Sequence, residues 1–355
     1  MRLKLEKRRA PSVVMLVATP VASVLLTMLI GMLVFDLIGI DGLRAVVDIF
    51  LSPLLVSYKW QDVAVKAAPL IIIALGLAVG NRAQVWNIGA EGQYIIGALA
   101  AAGVGLAFGS VGGPVVVVVM IAAGMLAGGA WAAVPAALRT RFSVNEILSS
   151  LMLTYVALQV LGWLVGGPWR DPNGRNFPAT APLADAQMLP VWGSSTVHLG
   201  VLVALILPFV FWFLMSRSVF GFQIRVVGSA PNAARHGGFD GRQTIWLALL
   251  ISGAMAGLAG ALEFTGVLHK IDLGFPSGYG FTAIIVSFLG RLNPIGCLVA
   301  GIVLAVTSVG GQMAQSSVQI PNSTAGIFQA MMLFFILASD ILVRYRVRWL
   351  RGAVA

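Results

Sequence analysis

The stretch DVAVKAAPLIIIALGLAVG, residues 62–80, decides how this sequence folds. Apart from Asp62 and Lys66 near its start, every residue in it is apolar, glycine or proline. A helix of about 20 such residues crosses the hydrocarbon core of a bilayer. The stretch is therefore predicted to be a membrane-spanning helix.

Nine further apolar segments lie on either side of this one. We predict spans at residues 12–35, 84–108, 114–138, 145–166, 198–215, 243–268, 278–290, 295–313 and 322–342. Segment 278–290 is short and rich in glycine, so it either crosses the membrane or is broken or re-entrant. The sequence thus predicts about ten transmembrane helices.

The composition agrees with a membrane environment. Hydrophobic residues make up 59% of the chain and charged residues 10%, and the mean hydropathy is +0.93. A soluble domain carries about 25% charged residues, so this chain needs lipid as its solvent. No segment outside the spans is long enough for a soluble domain. We predict an all-α, polytopic helix bundle that forms one transmembrane domain over residues 1–355.

The net charge of +10 is unevenly distributed along the chain. Basic residues cluster before the first span, after the fourth, in the loop 216–242 and after the last span. With an even number of spans all these clusters lie on one side, which the positive-inside rule makes cytoplasmic. Both termini and loop 216–242 are therefore predicted to be cytoplasmic, and loop 168–197 external. The charge indicates membrane topology rather than nucleic-acid binding.

Several kinds of chemistry are not indicated by the sequence. Cys297 is the only cysteine and lies in a predicted span, which excludes an intrachain disulfide and a cysteine metal cluster. No lysine follows a glycine, so the phosphate-binding motif G-x-x-x-x-G-K-[ST] is absent. We expect no resident cofactor or metal and no enzymatic activity, and any ATP hydrolysis is expected on a partner chain.

Polar residues inside the spans are candidates for a transport path. An acidic residue at the centre of a membrane helix costs about 2.5–3.5 kcal/mol and usually faces a bundle interior or water. Glu91 lies in NIGAEGQ, residues 87–93, where a helix would place Gln84, Asn87, Glu91 and Tyr94 on one face. Two interpretations remain open. The stripe either binds helices together, with Glu91 paired to Arg82 or Arg291, or lines the path, with Asn87, Glu91, Gln93 and Tyr94 as candidates.

Two other spans carry related patterns. Glu146, Ser150 and Thr154 are spaced by four residues, as in a helix face that serves either packing or the path. GAMAG, residues 253–257, is a G-x-x-x-G motif typical of close helix packing. Glu146 and Glu263 complete the candidate path residues.

The cytoplasmic loop contains SAPNAARHGG, residues 229–238, which predicts a short helix. Ser229 suits the N-cap, Pro231 the first turn and Gly237 the C-terminal exit. Two turns are too short to be stable alone in water, so the helix is either a capped linker or a docking element for an ATPase. In the second case the coupling residues are Ser229, Pro231, Asn232, Ala233, Ala234, Arg235 and Gly237.

These motifs, taken in order, resemble those of bacterial ABC permeases for nucleosides and simple sugars, a group related to the ribose and branched-chain amino-acid permeases. The similarity extends roughly over residues 60–345. The stretches that carry it are NIGAEGQ at 87–93, VNEILSSLM at 144–152, residues 228–238, SGAMAGLAG at 252–260, GYGF at 278–281 and LGRLNPIG at 289–296.

This resemblance implies a multi-pass subunit of an importer in the bacterial inner membrane. Its expected partners are a second permease subunit that is a different chain, two ATPase subunits docked on residues 229–238, and an extracytoplasmic solute-binding protein near loop 168–197. The motif at 87–93 resembles the nucleoside branch, so nucleosides are the expected substrate and simple sugars the alternative. A secondary transporter, with Glu91 or Glu263 binding a coupling proton, is the competing class.

Overall fold

A computed structural model describes residues 2–7, 13–109, 111–174, 177–193, 195–321 and 323–350. Its helices are α1 Val13–Leu37, α2 Gly42–Phe50, α3 Ser52–Leu55, α4 Lys59–Arg82, α5 Ala90–Phe108, α6 Pro114–Phe142, α7 Glu146–Gly166, α8 Leu199–Arg217, α9 Val219–Ser229, α10 Pro231–His236, α11 Gly241–Glu263, α12 Tyr279–Leu289, α13 Pro294–Ser317 and α14 Thr324–Arg344. A π-helical turn, Phe264–Leu268, extends α11, and a 3₁₀ turn covers Asp185–Gln187.

The predicted all-α membrane bundle is confirmed. Within the described residues, eight helices are long and apolar enough to cross a bilayer, and two shorter apolar helices lie at Tyr279–Leu289 and Thr324–Ser339. Together they account for the ten predicted segments. The segment predicted to be short, 278–290, forms the 11-residue helix α12, too short by itself to span about 30 Å of hydrocarbon at 1.5 Å per residue.

A two-stranded antiparallel ribbon joins a segment before α1 to the segment that follows α14. Strand β1, Arg2–Lys7, pairs with β2, Tyr345–Leu350, in a register that sets Arg2 opposite Leu350. This ribbon was not expected from the hydropathy pattern. The ribbon holds residues 2–7 next to residues 345–350.

Two short helices between the first two long helices were also not predicted. The α2 helix begins after the N-cap Asp41, whose carboxylate accepts a hydrogen bond from the Arg44 backbone N–H. Its apolar residues Ala45 and Ile49 are fully buried. Gly310 of α13 leaves room for this contact, since a Cβ there would lie 2.0 Å from the Ile49 carbonyl oxygen.

The centre of the bundle is formed by α4, α5, α6 and α11. Every residue of α4 from Ala67 to Asn81 is buried. Helices α6 and α11 pack antiparallel through glycine: a Cβ at Gly257 would lie 2.2 Å from the Gly124 carbonyl oxygen, and one at Gly253 2.5 Å from that of Gly128. The predicted packing role of residues 253–257 is thus seen directly, because only glycine permits this backbone approach.

Candidate functional site

A cavity of about 950 Å³ opens at one end of the bundle. Its walls come from the start of α4, the end of α11, the start of α12, the second half of α13 and the start of α14. Because successive spans run in opposite directions, these ends all lie on the same side, which the charge pattern predicts to be external. The volume matches that of pockets for small molecules, about 300–1,000 Å³.

The loop 168–197 is attached to the rim of this cavity. The Leu189 backbone N–H donates to the Thr265 carbonyl oxygen at 2.9 Å, and the Leu183 N–H to that of His269 at 2.7 Å. The Thr196 backbone N–H donates to Oε1 of Gln61, at the start of α4, at 3.1 Å. Part of the loop, at Val191, Ser195 and Thr196, lines the cavity itself.

Besides Asp62, which is paired with Lys59, two side chains that are normally charged face the cavity from different helices, Lys66 of α4 and Glu263 of α11. Glu263 is only 6% exposed. Neither forms a hydrogen bond or salt bridge to any described residue. The other polar residues of the wall are Asp62, Ser195, Thr196, His269, Ser277, Tyr279, Thr282, Ser308, Gln312 and Gln329. Glu263 was among the predicted path residues and Lys66 was not, although a lysine inside a predicted span is a recognisable signal of a functional site.

Glu91 lies outside this cavity and binds backbone. Its carboxylate accepts the N–H groups of Gly278, at 3.0 Å, and Gly280, at 2.6 Å. The suggested pairing with Arg82 or Arg291 is wrong: α12 presents unpaired N–H groups at its first turn, and these satisfy the carboxylate. A Cβ at Gly280 would lie 2.2 Å from the Glu91 nitrogen, so α12 begins directly against α5.

The predicted helical stripe from Gln84 to Tyr94 does not exist. Helix α5 begins at Ala90, and Gln84 has a left-handed backbone, φ 58°. The reason is local: the Asn87 side chain accepts the Gly89 backbone N–H at 3.1 Å, which favours a turn over a helix. Asn87 instead forms a buried cluster with Gln93, at 2.7 Å, and with Ser252 of α11, at 2.9 Å.

Tyr94 is buried in the aromatic core beneath the cavity. Its ring stacks on Phe275, with centroids 5.1 Å apart, and meets the edge of Tyr279 at 6.0 Å. Its hydroxyl has no hydrogen-bond partner among the residues described. Asn87, Gln93 and Tyr94 are thus part of the interior, away from the lining of the open cavity.

Glu146 lies elsewhere in the molecule, at the end with the basic clusters. It forms a salt bridge with Arg139 and accepts the Trp86 backbone N–H at 3.3 Å. Ser150 and Thr154 pack against α5: a Cβ at Gly89 would lie 2.5 Å from the Ser150 carbonyl oxygen, and one at Gly92 2.8 Å from the Thr154 Cα. The residues from Glu146 to Thr154 therefore form a packing face that joins α7 to α5.

The predicted short helix in loop 216–242 is α10, Pro231–His236, with Gly237 as its C-cap. The predicted N-cap is wrong: Ser229 ends α9, and its hydroxyl donates to the Arg225 carbonyl oxygen at 2.7 Å. Ala230 takes the N-cap position without a side-chain hydrogen bond. Ala234 is buried, whereas the other predicted coupling residues Ser229, Pro231, Asn232, Ala233, Arg235 and Gly237 are exposed.

His198 supports the cavity from behind its rim. As the N-cap of α8, its Nδ1 accepts the Gly200 backbone N–H at 3.2 Å. Burial lowers the pKa of His198 to about 4, and the neighbouring His269 acts in the same direction. His198 is therefore neutral at physiological pH.

Comparison with known proteins gives consistent matches. A family model described as branched-chain amino acid transport system / permease component matches residues 60–337. A glucose ABC transporter permease of Haloferax volcanii is 35% identical over 97% of this chain and 93% of its own length. Two guanosine ABC transporter permeases of Bacillus subtilis are 31% and 30% identical, over 81% and 73% of this chain and 82% and 84% of their own lengths.

Proposed function

The chain belongs to the family of branched-chain amino acid transport system permease components and is an ABC transporter permease, and from that premise we propose that it forms the path by which nucleosides are imported across a bacterial inner membrane. The 950 Å³ cavity is the external part of that path. The chain itself supplies the transport path and the helix that transmits movement from the ATPase, and it catalyses no reaction.

The observation that carries this proposal is the polar lining of a cavity inside an apolar bundle. Polar residues at membrane depth are costly and mark substrate pathways. Here Thr282, Ser308, Gln312 and Gln329 supply hydroxyl and amide groups from α12, α13 and α14, and Ser277 supplies a hydroxyl from the loop just before α12. Such a lining suits an uncharged solute with many hydroxyl groups.

The remaining parts of the importer are proposed from the family and the surfaces. Two ATPase subunits dock on α10, and ATP binding moves this helix and rocks the permease pair between outward- and inward-open states. A solute-binding protein delivers substrate at loop 168–197, which forms part of the cavity rim. The two guanosine permeases of Bacillus subtilis support a second, different permease subunit.

A second candidate substrate is a simple sugar. The Haloferax volcanii relative at 35% identity is named a glucose permease, and a hexose presents the same kind of hydroxyl groups as a ribose. The fold and the cavity serve both substrates equally well, so transport measurements must separate them.

The test is uptake of labelled guanosine, cytidine and glucose in the native organism, with and without this chain. Loss of nucleoside uptake on deletion, restored by re-expression, is the expected result. Loss of glucose uptake alone would replace nucleosides by sugars. Normal uptake of all three, with redundant importers removed, would refute the proposal.

A further inference from the structure

We propose that Glu263 binds the transported solute through two hydroxyl groups on adjacent carbon atoms, a vicinal diol, with Lys66 as a donor to a further solute oxygen. This inference rests on the proposed function and specifies the chemical class of its substrates. Nucleosides carry such a diol on the ribose ring, and hexoses carry one on the pyranose ring.

Glu263 differs from the other buried carboxylates of the bundle. Glu91 accepts two backbone N–H groups, and Glu146 is paired with Arg139. Glu263 is 6% exposed, between Glu91 at 2% and Glu146 at 9%, and has no such partner in the described part of the chain. Glu263 faces the open cavity, and a carboxylate at this depth needs hydrogen-bond donors, so these donors come from the cavity, either as water or as hydroxyl groups of a solute.

The position of Glu263 directs it toward a ligand. It is the last residue of α11, and the chain continues into the π-helical turn Phe264–Leu268, part of which also lines the cavity. Turns of this type inside α-helices occur frequently at functional sites. Lys66 faces the same cavity from α4 without forming a salt bridge to Glu263, which leaves both groups available to a solute.

The chemistry of the two groups selects the class of solute. An ionised carboxylate is an acceptor only, with two oxygens, and hydroxyl donors form short, strong bonds to it. Two hydroxyls on adjacent carbons can each donate to one of these oxygens. The Lys66 ammonium group is a donor only, and Gln312 and Gln329 offer amides on the facing helices.

A zwitterionic amino acid is the rival ligand, because its ammonium and carboxylate groups would also match Glu263 and Lys66. The wall also carries apolar side chains, those of Val65, Leu70, Val191, Val267, Leu268 and Ala325, so the lining alone does not separate the two ligands. The relatives named as glucose and guanosine permeases favour the hydroxyl-rich solute, and the amino acid is the alternative outcome of the test.

The test compares solutes that differ by one hydroxyl. Uptake of guanosine and 2′-deoxyguanosine, and of cytidine and 2′-deoxycytidine, is measured in cells whose own copy is replaced by wild type, Glu263→Gln or Asp48→Asn. Asp48 is the matched control, since its carboxylate binds Ser52 and Ser317 outside the cavity. The ratio of uptake within each pair is then compared between variants. The preference of the solute-binding protein is common to all variants and cancels in this comparison.

We expect Glu263→Gln to reduce the preference for the transported diol over its deoxy analogue by about 10-fold, since a hydrogen bond to a charged group is lost. Asp48→Asn leaves the preference unchanged. If Glu263→Gln fails to reach the membrane, Glu263→Asp provides the test. The aspartate keeps the carboxylate but places it farther from the solute, so we expect the preference for the diol to fall in this variant as well.

Two results would overturn the assignment. An unchanged preference, with uptake of both members of a pair reduced equally, means that Glu263 has only a structural role. Uptake of labelled leucine that depends on Glu263, with no effect on either pair, identifies the amino-acid ligand instead. Absence of nucleoside and sugar uptake in wild type contradicts the proposed function, which distinguishes that failure from failure of the Glu263 assignment alone.

Discussion

At Glu91, a carboxylate inside the bundle fixes the backbone of another helix. It accepts the N–H groups of Gly278 and Gly280, which lie 187 and 189 positions away along the chain. Tyr279, between them, and Ser277 and Thr282 beside them line the cavity. Glu91 thus acts on the cavity indirectly, through the position of the first turn of α12.

We predict that Glu91→Gln lowers both the stability of the permease and its uptake rate. Glutamine has one accepting oxygen, so one of the two N–H groups would face an NH₂ group and lose its partner, at a cost of about 1–3 kcal/mol. The measurement is the thermal unfolding midpoint of the purified transporter. Asp41→Asn is the control, because Asp41 serves as the α2 N-cap and Asn caps equally well. An unchanged midpoint in Glu91→Gln would contradict this role.

The buried His198 should make the free energy of unfolding depend on pH. Burial lowers its pKa to about 4, from an ordinary value of 6.5. Between these values the unfolded chain binds a proton that the folded chain excludes, so stability falls as the pH drops from 6.5 toward 4, by up to about 3 kcal/mol.

The variant His198→Asn keeps a capping group for α8 and should reduce the difference in unfolding midpoint between about pH 7.5 and about pH 5. The exposed residue His236 supplies the control variant His236→Asn, which should retain the wild-type difference. An equal pH dependence in wild type and His198→Asn would show that other groups are responsible.

At the scale of the helices, neighbouring glycines of α6 make different contacts. A Cβ at Gly128 would lie 2.4 Å from the Gly253 carbonyl oxygen, whereas at Gly129 the nearest atom would be 3.5 Å away. Gly128→Ala must therefore push α6 away from α11, and overpacking of this kind costs about 1–3 kcal/mol. Gly129→Ala should be close to neutral. The unfolding midpoints of the two variants are compared, and equal effects would refute the close contact.

The α10 helix has a surface that is largely free for a partner. It has six residues, of which Ala234 alone is buried, and a helix of this length is unstable in water without support. We predict that Arg235→Glu abolishes co-purification with the ATPase while the permease remains folded. Arg44→Glu, an exposed site predicted to be external, should not affect co-purification. Normal recovery of the ATPase with Arg235→Glu would argue against docking at α10.

At the scale of the whole molecule, the side on which the cavity opens follows from the basic clusters. Thr196 lies on the cavity rim and Ala233 on α10, and both are exposed. The only native cysteine, Cys297, is buried, so introduced thiols can be labelled selectively. In intact cells a membrane-impermeant maleimide should label Thr196→Cys but not Ala233→Cys, and after permeabilisation it should label both. Labelling of Ala233→Cys alone in intact cells would show that the topology is opposite to the one predicted.

The membrane bundle was predictable from hydropathy. A bilayer demands about 20 apolar residues for each helix, so hydropathy along the chain identified ten segments, including the short one at 278–290. The close packing at residues 253–257 was also predictable, because a G-x-x-x-G motif acts through local helical spacing. These features depend on neighbours in the sequence or on the surrounding lipid.

The contacts between polar groups of different helices were not predictable in this way, because they depend on how the helices pack. Glu91 looked like a path residue, yet it binds backbone at 278–280, and Lys66 faces the cavity with Glu263 although the two are far apart in sequence. Asn87 ended a predicted helix because of a turn closed by its own side chain. The physical reason is that periodicity fixes only the face of a helix on which a side chain lies, whereas the packing of the helices determines what that face contacts.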